Sequence, residues 1–150
     1  MKLVGSTEWP MPDDAWGIRG DLDEEIRFPR PDPTDVVPGD ALLYYAVGGT
    51  KHVFATARVE SKPVINDVHP LPGVAKKWPY AAKTLVDPST KLKYVSSGFE
   101  LDAIEPGLQA NVGHGVSHFP IRPDLFNKAE QMLRRAQRDE NSKLAKGWKP

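Results

Sequence analysis

At 150 residues the chain is long enough for one domain with a real core, and its lack of cysteine excludes a disulfide framework, a thiolate nucleophile and cysteine-held zinc. Twenty basic and twenty acidic residues cancel, so no strongly basic surface for bulk nucleic-acid binding is expected, although a local basic patch fits that balance. No apolar run approaches the roughly 20 residues that span a bilayer, and "MKLVGSTEWP" is too poor in apolar residues for a signal peptide. A soluble, cytoplasmic protein with no membrane partner is the expectation.

Residues 1–38 hold six of the fifteen prolines and are expected to wrap over a sheet, with "DLDEEIRF" forming one helical turn at most. Next comes a hairpin: "ALLYYAV" is an apolar run of strand length, "GGTK" a turn, and "HVFATARVE" an alternating strand. In that second strand Val53, Ala55, Ala57 and Val59 share one face, and His52, Phe54, Thr56, Arg58 and Glu60 the other. A run apolar on both faces has one face in a core and the other under a covering element, so both Tyr44 and Tyr45 can be buried. "SKPVINDVHPLPG" reads as loop, "YAAKTLV" and "LKYVSS" as strands joined by "DPSTK", and "ELDAIEPGL" as a short helix stopped by Pro106. "NVGHGVSHFPI" reads as a final strand. A helix over Pro123 to Gln137 follows, with Asp124 as N-cap and Leu125, Ala129, Met132, Leu133 and Ala136 on its apolar face. A single domain over residues 1–138 is expected, then a frayed polar tail over 139–150. Five to six short strands with flanking short helices and a C-terminal helix imply an α+β fold built on a small, partly open β-barrel.

The catalytic motifs that are easiest to recognise are missing. His114 and His118 are four apart, but glycines interrupt them and no glutamate follows the first, so the metalloprotease pattern fails. There is no G-x-S-x-G elbow, phosphate-cradling P-loop or dinucleotide turn. The residues alone point to no catalytic set, no cofactor and no metal. Aromatics are more informative. Trp9, Trp16, Tyr44, Tyr45, Trp78, Tyr80 and Tyr94 are accompanied by Arg19, Lys51, His52, Lys76 and Lys77. Rings stack on bases while cations beside them meet phosphates, although tryptophans in proline-rich loops also serve simply to cap a barrel.

"GDALLYYAV" followed by "HVFATARVES" resembles the central signature of EVE domains, in the PUA-like superfamily that includes ASCH and YTH domains. Gly39, Asp40 and Tyr45 fit its first half, and Ala55, Ala57 and Val59 its second. An early tryptophan segment (Trp9, Trp16) and "SHFPIRPDLF", Ser117 to Phe126, match in style, so the resemblance spans most of residues 3–135. It departs at Val47, where a polar residue is usual, and at "SKPVIND", where the usual loop sequence differs. The resemblance implies a PUA-like barrel that holds a modified base of RNA or DNA in an aromatic pocket, with Trp9, Trp16, Tyr45, Ser117 and His118 as the pocket and Tyr44 left to packing. Arg19, Lys51, Lys76 and Lys77 are the phosphate-binding candidates. Two other functions stay open. One is an ASCH-like ribonuclease or amidohydrolase using Lys83 with Glu100 or Asp102, and the other is a protein-interaction module.

Overall fold

In this computed structural model, which describes residues 2–4, 11–112 and 117–150, the apolar run after Asp40 becomes an interior strand of a curled sheet. The strands are β1 (Lys2–Val4), β2 (Glu25–Phe28), β3 (Ala41–Ala46), β4 (Val53–Val59), β5 (Val64–Ile65) and β6 (Tyr80–Val86). Their order is β1-β3-β4-β6-β2, with β5 beside β6; only the β1–β3 pair is parallel. The architecture is α+β, an antiparallel half-barrel with the helix α3 (Pro123–Ala145) beside it. Two single-turn helices, α1 (Ala15–Ile18) and α2 (Val74–Lys77), sit in the connections. Among the described residues no helix is long and apolar enough to cross a membrane.

The expected hairpin is present, and its Gly-Gly turn has a physical cause. Gly48 and Gly49 both take positive φ, and a Cβ on Gly49 would lie 3.2 Å from the Met11 carbonyl oxygen. Register slips between Tyr44 and Tyr45, which pair with Ala55 and Val53, so Phe54 is the extra residue of a bulge. Tyr44 and Tyr45 are both buried, at 0% and 1% exposure. Tyr44 lies under the lead segment against Trp16 (ring centroids 6.3 Å apart) and its hydroxyl reaches Thr84 Oγ1 at 3.3 Å. Tyr45 is covered from the other direction, by the turn Leu108–Asn111.

Several elements differ from the sequence expectation. "DLDEEIRF" forms a 3-10 turn over Gly20–Asp23 and then β2, a true member of the sheet, because the N-terminal half of β6 needs a partner beyond the reach of β4. "SKPVIND" contributes β5. "LKYVSS" is not a strand but carries a 3-10 turn at Val95–Ser97. Its donors go elsewhere: Leu92 N–H to the Phe54 carbonyl, Lys93 and Tyr94 N–H to the Glu140 carboxylate, Val95 N–H to the Asp13 carbonyl. The segment then crosses β4 so tightly at Gly98 that a Cβ there would stand 1.9 Å from the Val53 carbonyl oxygen. "ELDAIEPGL" forms two 3-10 turns, Leu101–Ala103 and Leu108–Asn111, separated by Pro106 and Gly107. Of the final strand expected in "NVGHGVSHFPI", residues 113–116 lie outside the described residues and the rest joins no named strand.

The helix α3 is longer than expected and starts differently. Arg122 stands at its N-cap position, Pro123 opens it, and Asp124 lies inside the first turn, paired with Arg122, instead of at the cap. The helix does not fray after Gln137 but continues to Ala145, because Glu140, 3% exposed, is anchored on the backbone of the 93–94 segment. Leu125, Ala129 and Leu133 fill its inner face, as the spacing expected.

Candidate functional site

The β3–β4 turn and the 3-10 turns after Phe99 frame a cleft of about 460 Å³, lined by Gly49, Thr50, Lys51, His52, Glu100, Asp102 and Gln109. That size lies within the range of small-molecule sites, about 300–1,000 Å³. Its positions are set by the fold. The turn places Thr50 to His52 at one rim, and the Val53–Phe99 bridge carries Glu100 and Asp102 to the other. The lining is polar rather than aromatic.

Three contacts orient it. Tyr45 Oη donates to Gln109 Oε1 at 3.1 Å, so the amide nitrogen is the end left to donate into the cleft. Burial pushes the Tyr45 phenol up, partly offset by that hydrogen bond, so the hydroxyl stays a donor at neutral pH. Asp102 Oδ1 accepts the Gln109 N–H at 3.0 Å and leaves its other oxygen open. His52 Nδ1 lies 3.2 Å from the Val95 carbonyl, an acceptor only, so Nδ1 carries the proton and Nε2 keeps a lone pair. Glu100, Asp102 and His52 Nε2 thus supply acceptors, Gln109 and Lys51 supply donors, and the Thr50 hydroxyl can serve as either.

The sequence-derived pocket residues are dispersed around this cleft rather than gathered in it. Trp9 and His114 lie outside the described residues. Trp16 packs between Tyr44 and Phe54, donates Nε1–H to the Leu92 carbonyl at 2.7 Å, and carries Lys91 Nζ 4.4 Å from its ring. Tyr45 contributes through its hydroxyl alone. Ser117 and His118 are brought together, with Oγ 2.8 Å from Nδ1, and His118 Nε2 lies 2.9 Å from Asp35 Oδ2 while the ring meets Phe28 edge-on. That Ser–His–Asp order matches a nucleophile relay, but the Asp35 side chain is 69% exposed and its charge is screened by water. The contact instead pins the 29–38 segment to the run before α3.

Of the phosphate candidates only Lys51 lines the cleft. Lys76 and Lys77 belong to α2. Arg19 is held fork-to-fork by Asp21, both contacts at 3.0 Å. Lys83, the enzyme candidate, sits opposite Glu25 in the β2–β6 ladder, while Glu100 and Asp102 lie at the cleft. Gln109 was not legible as a site residue, since no motif marks it and only Tyr45 gives it a role.

A second polar cluster brings Asp21, Glu25 and His69 within 4.8 Å of one another. Its donor chemistry does not suit a cation. His69 Nδ1 accepts the Leu71 N–H at 2.9 Å, so Nε2 carries the proton, 2.9 Å from Asp21 Oδ2 but badly aligned with it. Arg19 already occupies both Asp21 oxygens, and Arg27 occupies Glu25. The cluster is a clamp between the lead segment and the loop before β6. Burial alone pushes the Asp21 carboxyl up, but the hydrogen bonds and charge of Arg19, with the His69 N–H close by, outweigh it and hold the group below its ordinary 3.8. A carboxyl depressed in the folded state adds stability above its unfolded value, and that stability is lost as pH falls through the folded one. The stability gap between wild type and Asp21→Asn is thus expected to be full at neutral pH and to close on acidification below about pH 4. Urea titrations across that range read it, and a gap independent of pH would contradict it.

Comparison with family models, with curated proteins and with solved structures finds no match to this chain.

Proposed function

We propose that this chain is a PUA-like module of the EVE kind, which receives one modified nucleobase of RNA or DNA in the cleft beside the β3–β4 turn. The observation that carries this reading is the Tyr45–Gln109 contact, in which a buried strand tyrosine fixes an amide donor inside a cleft of small-molecule size. Bases are read by hydrogen bonds to their edges. Carboxylates accept from exocyclic amino groups, an amide donates to a ring carbonyl or nitrogen, and Lys51 stands at the rim for phosphate.

The test is titration of short oligonucleotides, each carrying a modified base or its parent, against wild type and Gln109→Ala. A preference for one modified base is expected, and Gln109→Ala weakens it about five- to a hundred-fold, the range of one good base contact. Equal binding of every modified base and its parent, or wild-type binding by a folded Gln109→Ala, overturns the reading. Trp16→Ala is a poor probe, because the ring packs against Tyr44 and Phe54.

A hydrolase is the second reading, favoured by one observation: the pinned tautomer of His52 leaves Nε2 as an acceptor in the same cleft as Lys51, Glu100 and Asp102. Turnover of N-acylated nucleosides or of RNA by wild type, lost in His52→Ala, would move the cleft to that class.

A further inference from the structure

At the far end of α3, two lysines stand over two aromatic rings that touch each other. Lys93 Nζ lies 5.5 Å from the Tyr94 ring centroid and Lys143 Nζ 5.6 Å from that of Trp148. The rings meet edge to face at 6.0 Å. Their placement is built by the fold. Glu140 accepts the N–H groups of Lys93 and Tyr94 at 2.7 and 3.1 Å, locking that segment to the helix. Gly147, at φ 84°, reverses the chain so that the Trp148 N–H reaches the Lys143 carbonyl.

Among the described residues neither Lys93 nor Lys143 pairs with a carboxylate, whereas Arg19, Arg27, Lys91, Arg122 and Arg134 all do. Lys93, Lys143, Lys146 and Lys149 are exposed, and both rings are half-buried, so each is held in place with part of its surface in solvent. None of the exposed large apolar residues (Val37, Val64, Ile65, Val68, Leu85) belongs to this patch.

We propose that this patch is a contact surface for single-stranded nucleic acid, with Tyr94 and Trp148 stacking bases and Lys93 and Lys143 meeting the flanking phosphates. An ammonium over an exposed ring is held more weakly than a base stacked on the same face. A base therefore displaces each lysine from its ring, and the lysine, on a flexible stem, moves to phosphate. Rings locked edge to face and unaccompanied by other exposed apolar side chains favour a strand over a bilayer, which would require apolar surface to insert. The surface rests on the reading that this chain meets nucleic acid, and it is separate from the cleft.

The full chain is titrated with short oligothymidylate and oligouridylate at several salt concentrations. The proteins compared are wild type, a Lys93→Ala, Lys143→Ala double variant, Trp148→Ala, Trp148→Phe, Gln109→Ala and a Gln109→Ala, Trp148→Ala double variant. The double lysine variant is expected to lower the log–log salt slope by about 1.4, from roughly 0.7 per phosphate contact on a single strand. Trp148→Ala should weaken binding about five- to a hundred-fold with the slope unchanged, and Trp148→Phe should restore most of it. Gln109→Ala removes an uncharged cleft donor and should keep the wild-type salt slope, and adding Trp148→Ala to it should still weaken homopolymer binding. An unchanged slope in the lysine variant overturns the surface, as does wild-type affinity in Trp148→Ala. Binding to phosphatidylserine vesicles but to neither oligonucleotide overturns it as well and assigns the patch to membranes. Homopolymer binding that depends on Gln109 and not on Trp148 leaves the cleft reading standing and removes this one. The lysine variant changes only exposed side chains, so its slope decides the matter even where Trp148→Ala loosens the helix end.

Discussion

Replacing Arg27 with alanine is expected to destabilise the protein by about 3–5 kcal/mol, the usual result of breaking one side of a buried charged contact. Arg27 is 4% exposed on β2, and its guanidinium donates to three carbonyls of the connection before β6. NH1 donates to Asn66 and Trp78 at 2.8 and 3.2 Å, and NH2 to Val68 at 2.7 Å. Glu25 pairs with the same group at 3.3 Å. Removing the fork unties the 62–79 connection and leaves Glu25 without its charge partner. A lysine keeps the charge but cannot reproduce planar donation to three oxygens, so Arg27→Lys should recover less than half of the loss. Against a typical domain stability of about 5–15 kcal/mol the alanine variant is severe. Chemical denaturation reads the loss and limited proteolysis of the 62–79 connection reads its location. An unchanged unfolding midpoint, or protection of that connection in Arg27→Ala, would contradict the assignment.

Glu140→Ala is the second large effect, expected at about 2–4 kcal/mol. Hydrogen bonds to a charged acceptor are worth about 1.5–3 kcal/mol, and their loss here strands two backbone donors at once. Both oxygens are in use, Oε1 on Lys93 N–H and Oε2 on Tyr94 N–H, and the side chain is 3% exposed. Gln keeps one acceptor oxygen, so Glu140→Gln should retain about half of the stabilisation. Hydrogen exchange localises the effect. The Lys93 and Tyr94 amides are expected to lose protection in Glu140→Ala, along with the last two turns of α3. If those amides exchange as in wild type, the carboxylate is not their acceptor. The same variant should weaken oligonucleotide binding at Lys93 and Tyr94 if that patch is the contact surface, since Glu140 holds the backbone of both residues to the helix that carries Trp148.

Where a local pattern carries its own reason, sequence and structure agree. The "ALLYYAV" run lies between a Gly-Asp entry and a Gly-Gly turn, and a strand apolar on both faces has nowhere to go but the middle of a core. The "YAAKTLV" strand and the inner face of α3 follow from their periods in the same way. Where backbone donors are satisfied by distant side chains, local pattern misleads. "LKYVSS" has strand composition, yet Glu140 and Asp13 take its N–H groups and remove any need for a ladder. "DLDEEIRF" is too acidic to look like a strand, and becomes one because β6 has an edge to fill and Ile26 and Phe28 can be buried there.

The site shows the same division. Sequence alone determined that a hairpin forms here, that both of its adjacent tyrosines can be buried, and that "GGTK" makes its turn, with His52 opening the next strand. Only the tertiary structure decided which groups face them. Glu100, Asp102 and Gln109 lie about fifty residues further on and carry no motif. They reach the turn because Phe99 bridges to Val53 and because the Tyr45 hydroxyl, once buried, requires an acceptor that Gln109 supplies. Burial of a polar group is a property of the whole fold, so its partner cannot be read from spacing. For that reason the sequence placed an aromatic wall at this end of the half-barrel, whereas the folded chain places a cluster of donors and acceptors there.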